Sequence, residues 1–260
     1  MGFDVDQARR LNSAVGHMRL VAGETRMESK ERFSLLTVPA GLRACALLVH
    51  LGPGELQLLR SIAIDHGLSP LVARSASLRP RPSERYGGDI SRVFREHDAK
   101  GDHQVLWICA SDAIRKQLKS APSDSWALLD YPDCCVQSAR RSNAIVGEAL
   151  ARAIVDKAGG DPKLVRKALR EDWKVSVEVP EKLTMLASAR SVQRTNSAFP
   201  FALHTACDSC LDDPSSPTAE LNQRYAAFAQ QLDPALYAEL LLAAAAISPD
   251  TSRSLKDRDP

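Results

Sequence analysis

Residues 131–135 read Tyr-Pro-Asp-Cys-Cys, and residues 204–210 read His-Thr-Ala-Cys-Asp-Ser-Cys. Proline is favoured in the first turn of a helix, where its missing N–H would have no partner anyway, so Pro132 predicts a helix start. Cys134 and Cys135 then lie in that first turn. The positive end of the helix dipole lowers the pKa of a thiol there, which favours metal binding or reactivity over inert burial.

The spacing of the cysteines bears on which metal they would bind. Neighbouring residues on a helix diverge by about 100°, so adjacent thiolates reach one tetrahedral ion awkwardly, whereas an iron–sulfur cluster offers each sulfur its own iron. The CxxC spacing of the later pair is common to zinc half-sites, iron–sulfur ligands and redox dithiols. We therefore predict one metal site, with a four-iron (4Fe–4S) cluster as the cofactor and zinc as the alternative. Its predicted ligands are Cys134, Cys135, Cys207, Cys210 and His204.

These two stretches resemble a prokaryotic family known as domain of unknown function 483, whose members carry a Tyr-Pro-x-Cys-Cys-Val segment and a later His-x-x-Cys segment. The resemblance covers roughly residues 130–235. The family has a longer gap between its last two cysteines than the gap that leads to Cys210. The resemblance implies no reaction, but it implies that five residues belong to the site: Tyr131, Cys134, Cys135, His204 and Cys207.

Composition limits the class of protein. With 260 residues, 44% of them hydrophobic, the chain can bury a core in one large domain or two small ones. The net charge of +2 is too small to indicate nucleic acid or an anionic membrane as a partner, so neither is expected, although local charged patches remain possible. Six cysteines are too few for a disulfide-rich secreted scaffold, and the first residues lack the features of a signal peptide. We predict a cytoplasmic protein with a small-molecule substrate and no membrane segment.

Short apolar runs alternate with helical patterns in the first half of the chain, and this predicts an α/β layer with a small mixed or parallel sheet. The second half is predicted to be helical. The predicted parts are an α/β part over 1–130, a helical part with the cysteine motifs packed on it over 131–247, and a disordered tail over 248–260. The predicted strands cover 35–38, 44–51, 68–73, 103–110 and 175–179. Cys45 and Cys109 fall inside two of these strands, so we expect both to be buried core residues.

Several polar residues lie close to the cysteines in sequence. Arg140 follows the adjacent pair and Arg194 precedes the His204 stretch, so both are candidates to hold a ligand beside Tyr131 and His204. A proline-broken basic loop over 79–88 is either solvated surface or a cover over a substrate carboxylate or phosphate.

Two classes of function remain open on this basis. An iron–sulfur enzyme with one open iron suits sulfur transfer, a lyase step or a reductive step on a small molecule. A zinc-stabilised binding module is the alternative, and it would contact RNA through the arginine-rich segments 79–95 and 190–194. Of the two, we predict the iron–sulfur-dependent enzyme, a transferase, lyase or oxidoreductase, with the binding module as the alternative.

Overall fold

The chain is mostly helical and carries one small sheet. The computed structural model describes residues 4–16, 29–49, 51–75, 86–101, 103–121, 125–170 and 189–246. The strands are β1 (Cys45–Leu48), β2 (Ser69–Ser75) and β3 (His103–Cys109). The helices are α1 (Val5–Gly16), α2 (Ser29–Leu36), α3 (Pro53–Asp65), α4 (Gly88–Lys100), α5 (Asp112–Ser120), α6 (Ser125–Leu128), α7 (Asp133–Lys157), α8 (Pro162–Arg170), α9 (Ala189–Ala198), α10 (Asp208–Leu211), α11 (Pro217–Leu232) and α12 (Pro234–Ala246).

The sheet has the order β1-β3-β2, and β3 runs antiparallel to β1. Their register places Cys45 opposite Cys109 and Leu48 opposite Leu106. A combination of helices with a small sheet is confirmed, but the predicted strand direction is wrong, because the sheet is antiparallel rather than parallel. Alternation of strands and helices does not fix direction, since a long connection can return the chain from either end of the sheet. Here β3 enters between the two earlier strands.

The strand predicted over 35–38 is also wrong. Its first two residues end α2, and Thr37 begins a turn in which its backbone carbonyl accepts from Leu42 N at 3.0 Å. Leu35, Leu36 and Val38 are all buried. A short apolar run that is buried on every side has the same pattern in a helix and in a strand, so periodicity could not separate the two. The strand predicted over 175–179 and the tail over 248–260 lie outside the described residues.

The residues group into two compact units. The first comprises 1–72, 105–136 and 191–260. Its core packs α1, α2, α11 and α12 against the sheet, with Phe33 at the centre. The Phe33 ring lies 6.0 Å from the Tyr225 ring and 5.9 Å from the Phe228 ring, centroid to centroid. This core fixes α11, whose first turn belongs to the site described below.

The second unit comprises 73–104 and 137–190. Its buried residues come from α4, the later part of α7, and α8, and they include Phe94, Ile154 and Val165. Among the described residues of the chain, none forms a helix both long and apolar enough to cross a bilayer.

Candidate metal centre

The first cysteine pair lies in the first turn of α7, as predicted. Val136 N donates to Pro132 O at 3.0 Å, so Pro132 supplies the first helical acceptor and the helix begins at Asp133, one residue later than predicted. The Tyr131 hydroxyl donates to Leu203 O at 2.9 Å. This bond ties the start of α7 to the segment that leads to the second pair.

The second pair lies on a single helical turn rather than a longer helix. Cys207 is the N-cap residue of α10 and has an extended backbone conformation. Cys210 N donates to Cys207 O at 3.0 Å. Ser216 Oγ donates to Cys210 O at 2.9 Å and accepts from Ala219 N at 3.3 Å, where it caps α11. The turn is therefore fixed by the helix that follows it.

The four thiols of the two pairs come together at one point in the first unit. All four Sγ atoms lie within 4.8 Å of one another. Cys134 Sγ is 3.5 Å from Cys210 Sγ, and Cys135 Sγ is 3.7 Å from both Cys207 Sγ and Cys210 Sγ. Cys135, Cys207 and Cys210 are buried, whereas Cys134 is partly exposed. We call these four residues the thiol cluster. It is a group that could hold a metal ion.

Several hydrogen-bond donors point at the cluster. Cys207 N donates to Cys135 Sγ at 3.4 Å, and the hydroxyl of Thr218 lies 3.4 Å from the same sulfur. The Ser209 hydroxyl lies 3.1 Å from Cys207 Sγ. Donors in these positions stabilise thiolates, which are the form of cysteine that binds metals.

The thiols differ in acidity. Burial and hydrogen bonding with Cys210 and Cys207 raise the pKa of Cys134 to about 11. Burial also raises the pKa of Cys135. Burial acts in the same direction on Cys207, but the hydrogen bonds of Ser209 and Cys210 outweigh it and lower the pKa of Cys207 to about 7. A metal that binds near neutral pH must therefore displace protons from other thiols of the cluster.

His204 lies beside the thiol cluster, but its ring nitrogens do not belong to the group of four sulfurs that could hold a metal ion. Its Nε2 is 3.0 Å from Thr218 Oγ1. When Cys135 is a thiolate, the ring N–H donates to the Thr218 hydroxyl, which donates to Cys135 Sγ. Burial, followed by the charges of Arg43 and Lys30, lowers the pKa of His204 to about 4, so the ring is neutral at pH 7. His204 thus reaches the cluster through Thr218.

Tyr131 is held by packing as well as by its hydroxyl. Its ring centroid is 5.1 Å from that of His204, and the Arg43 guanidinium carbon is 5.3 Å from the Tyr131 centroid. Arg43 is itself buried, and its Nε donates to Leu129 O at 2.9 Å. No local pattern indicates this role for Arg43, which lies in a turn next to a strand. The roles of Thr218 and Ser209 were missed as well.

The two predicted arginines do not meet at the cluster. Arg194 Nη1 lies 2.8 Å from Asp208 Oδ1, and Nη2 lies 3.6 Å from Asp212 Oδ1, so Arg194 holds the α10 turn from outside. Arg140 is an exposed residue of α7 and belongs to the second unit. The segment 76–85, which contains most of the basic loop, lies outside the described residues.

A cleft of about 360 Å³ adjoins the start of α7 in the first unit. An ion pair between Arg224 and Asp130 lies on its wall. The size is at the lower end for a small-molecule site. The cleft is lined by Asp130, Tyr131, Pro132, Pro217, Glu220, Leu221 and Arg224.

Comparison of the chain with models of protein families, with curated proteins and with solved structures finds no match. The resemblance to the domain of unknown function 483 family stays a prediction that rests on the two cysteine stretches alone.

Proposed function

We propose that the thiol cluster binds a single tetrahedral metal ion, with zinc as the first choice, and that the chain is a metal-stabilised binding module. The observation that carries this proposal is that the four sulfurs lie within 4.8 Å of one another. Zinc–sulfur bonds of about 2.3 Å give a tetrahedron of sulfurs with edges of about 3.8 Å. Three of the six sulfur separations, 3.5, 3.7 and 3.7 Å, are close to that edge, and the others are at most 4.8 Å.

The same distances bear on the iron–sulfur prediction. In a four-iron cluster each thiolate binds a different iron, so the sulfurs stand apart by the width of the cluster. Adjacent thiols were expected to reach one ion awkwardly. In the structure Cys134 and Cys135 both approach Cys210, because α10 presents its sulfur between them. The divergence of neighbouring residues on a helix therefore does not keep Cys134 and Cys135 from sharing one ion.

A structural role follows from the number of ligands. Four protein thiolates fill a tetrahedral site and leave no open position for a substrate, which is typical of structural rather than catalytic zinc. The ion would join the start of α7 to the turn that precedes α11. The chemistry it supplies is cross-linking of two segments that are distant in sequence.

The iron–sulfur enzyme is the second candidate, and two observations favour it. Cys134 is partly exposed, and the cleft beside Tyr131 offers room for a small molecule. A cluster held by fewer than four of the cysteines would leave one iron open for sulfur transfer, a lyase step or a reductive step.

Metal analysis of protein purified without oxygen distinguishes the zinc-stabilised binding module from the iron–sulfur enzyme. We expect colourless protein with one zinc per chain, and after replacement by Co²⁺ a visible spectrum typical of four thiolates around one ion. Cys135→Ser should lose the metal, whereas Cys109→Ser, a control in the sheet, should keep it. Brown protein with iron and acid-labile sulfide would overturn the zinc proposal in favour of the enzyme. Protein that binds neither metal under these conditions would exclude both.

A further inference from the structure

The net charge of the whole chain is small, but the net charges of its two units differ strongly. Residues 73–104 and 137–190, which form the second unit, contain 18 Lys and Arg against 12 Asp and Glu, a net charge of +6. The rest of the chain contains 16 against 20, a net charge of −4. Such an asymmetry is typical of chains in which one part contacts a polyanion.

Within the second unit, α8 concentrates this charge on one face. Its four cations are at i, i+3, i+4 and i+7, which places them within about 100° of one another around the helix. They are Lys163, Arg166, Lys167 and Arg170, and we call them the α8 basic stripe. The stripe is about 10 Å long, from the rise of an α-helix over seven residues.

The stripe faces solvent. Lys163, Lys167 and Arg170 are exposed, and Arg166 keeps 40% of its side chain accessible while it pairs with Glu96 at 3.1 Å. Lys163 and Arg170 have no acidic partner among the residues that the structure describes. Positive side chains that protein carboxylates leave uncompensated are available to an external anion.

The opposite face of α8 indicates which kind of anion the α8 basic stripe can bind. Val165 and Leu169 are buried in the core of the second unit, so the centre of the apolar side of this amphipathic helix is occupied, and Leu164 alone among its large apolar residues keeps half of its surface exposed. A helix that lies in a membrane interface needs that side free to enter the lipid. A polymer with regularly spaced phosphates requires only the exposed cations.

We propose that the α8 basic stripe binds the phosphate backbone of a nucleic acid. This surface differs from the RNA contacts expected from sequence. Arg194 is engaged by Asp208 and Asp212, and Arg79, Arg81 and Arg85 lie outside the described residues. The proposal is independent of the metal, because the thiol cluster belongs to the other unit.

The test uses the full-length chain and fluorescence anisotropy with a fluorescein-labelled 20-nucleotide single-stranded RNA of mixed sequence. Single-stranded DNA and double-stranded RNA of the same sequence form parallel arms that identify the preferred form. The stripe variant is Lys163→Gln, Lys167→Gln, Arg170→Gln. Arg166 is left in place because its ion pair with Glu96 joins α8 to α4. The matched control removes three exposed cations of the first unit: Arg10→Gln, Arg60→Gln, Lys119→Gln.

We expect wild-type protein to bind the RNA at 50 mM salt. The logarithm of its affinity should then fall linearly with the logarithm of the salt concentration. The stripe variant should bind at least 10-fold more weakly, with a salt slope smaller by about two, at roughly 0.7 per lost contact on a single strand. The control should keep the wild-type slope. Equal losses in both variants would overturn the proposal, and so would absence of binding to all three nucleic acids. Binding only to phosphatidylserine vesicles would replace it with a lipid surface. Unchanged metal content in the stripe variant keeps this result separate from the metal proposal.

Discussion

The six cysteines of the first unit form two groups with opposite properties. Cys45 and Cys109 face each other across β1 and β3, and both are fully buried. Burial raises the pKa of Cys45 to about 12 and that of Cys109 to about 11. In the part of the chain that the structure describes, Cys45 Sγ donates to Leu128 O at 3.5 Å and accepts from no N–H or hydroxyl.

Three of the four cysteines in the thiol cluster are buried too, yet hydrogen-bond donors lie next to the cluster's sulfurs. A backbone N–H and two hydroxyls lie within 3.4 Å of Cys135 and Cys207. Cys45 and Cys109 lie opposite each other in the β1–β3 ladder, which uses backbone donors, whereas the first turn of a helix leaves N–H groups free for side chains. The two groups of cysteines therefore differ in the donors that helix starts bring to the sulfurs of the thiol cluster, rather than in burial.

The largest expected effect is complete loss of metal from Cys207→Ser, while Cys109→Ser keeps the metal. Structural zinc contributes roughly 10 kcal/mol to small domains, but the core around Phe33 lies apart from the cluster. We therefore expect Cys207→Ser to remain folded with a lower Tm. Cys109→Ser should lose about 1–2 kcal/mol of stability through its buried hydroxyl. Metal analysis and thermal circular dichroism measure both. Global unfolding of Cys207→Ser would show that the metal is required for the fold.

The next effect concerns alkylation of metal-free protein at pH 7.5. Cys207, with a pKa of about 7, should react with iodoacetamide at least 100-fold faster than Cys45 or Cys109, because thiolate is the reactive form. Peptide mass spectrometry at successive times gives the rate at each cysteine. In guanidinium chloride the rates should converge, and added Zn²⁺ should protect the cluster alone. Equal rates in the native protein would remove the distinction between the two groups.

Much of the cluster could be predicted from sequence. The two pairs are short motifs beside turns, and Pro132 marks a helix start, so the meeting of the pairs was a reasonable expectation. Burial of Cys45 and Cys109 followed from their apolar runs. The residues that support the cluster could not be found in this way. Thr218 lies in the first turn of a helix, and only the fold brings its hydroxyl to Cys135.

The fold was predictable to a similar extent. Long helices such as α7 and α11 repeat their apolar residues at helical spacing, and local chemistry marks their ends. The direction of β3 depends on where a connection returns to the sheet, and no local pattern encodes that. Position 194 looked like a site residue because of its sequence neighbours, but its guanidinium reaches two aspartates of α10 instead.

A smaller effect tests His204 through the pH dependence of stability. Its pKa is about 4 in the folded chain against 6.5 as the ordinary value, so the unfolded state binds the proton more readily between these pH values. Stability should therefore fall as pH falls from 6.5 to 4, by up to about 3 kcal/mol from this residue. Urea unfolding of metal-free wild type and His204→Gln measures the difference, which should be largest near pH 4. Parallel curves for the two proteins would show that His204 is not buried as a neutral ring.

The smallest expected effect comes from Thr218, whose hydroxyl lies 3.0 Å from His204 Nε2 and 3.4 Å from Cys135 Sγ. Thr218→Val keeps the shape of the side chain but removes the hydroxyl, leaving both neighbours without this partner. Loss of an outer partner of a metal ligand costs 10- to 100-fold in affinity. We expect the lower end, about 10-fold, because the backbone N–H of Cys207 still donates to Cys135 Sγ.

Competition with a chromophoric chelator measures the affinity of each protein for Zn²⁺. Thr218→Ser is the matched control, since it keeps the hydroxyl and loses only a methyl group, and it should stay within a few-fold of wild type. Cys45→Ala, at a cysteine outside the cluster, should leave the affinity unchanged. If Thr218→Val bound Zn²⁺ as tightly as Thr218→Ser, the hydroxyl would contribute only to packing. The donors around the cluster would then not explain why these four cysteines, rather than Cys45 and Cys109, should bind a metal ion.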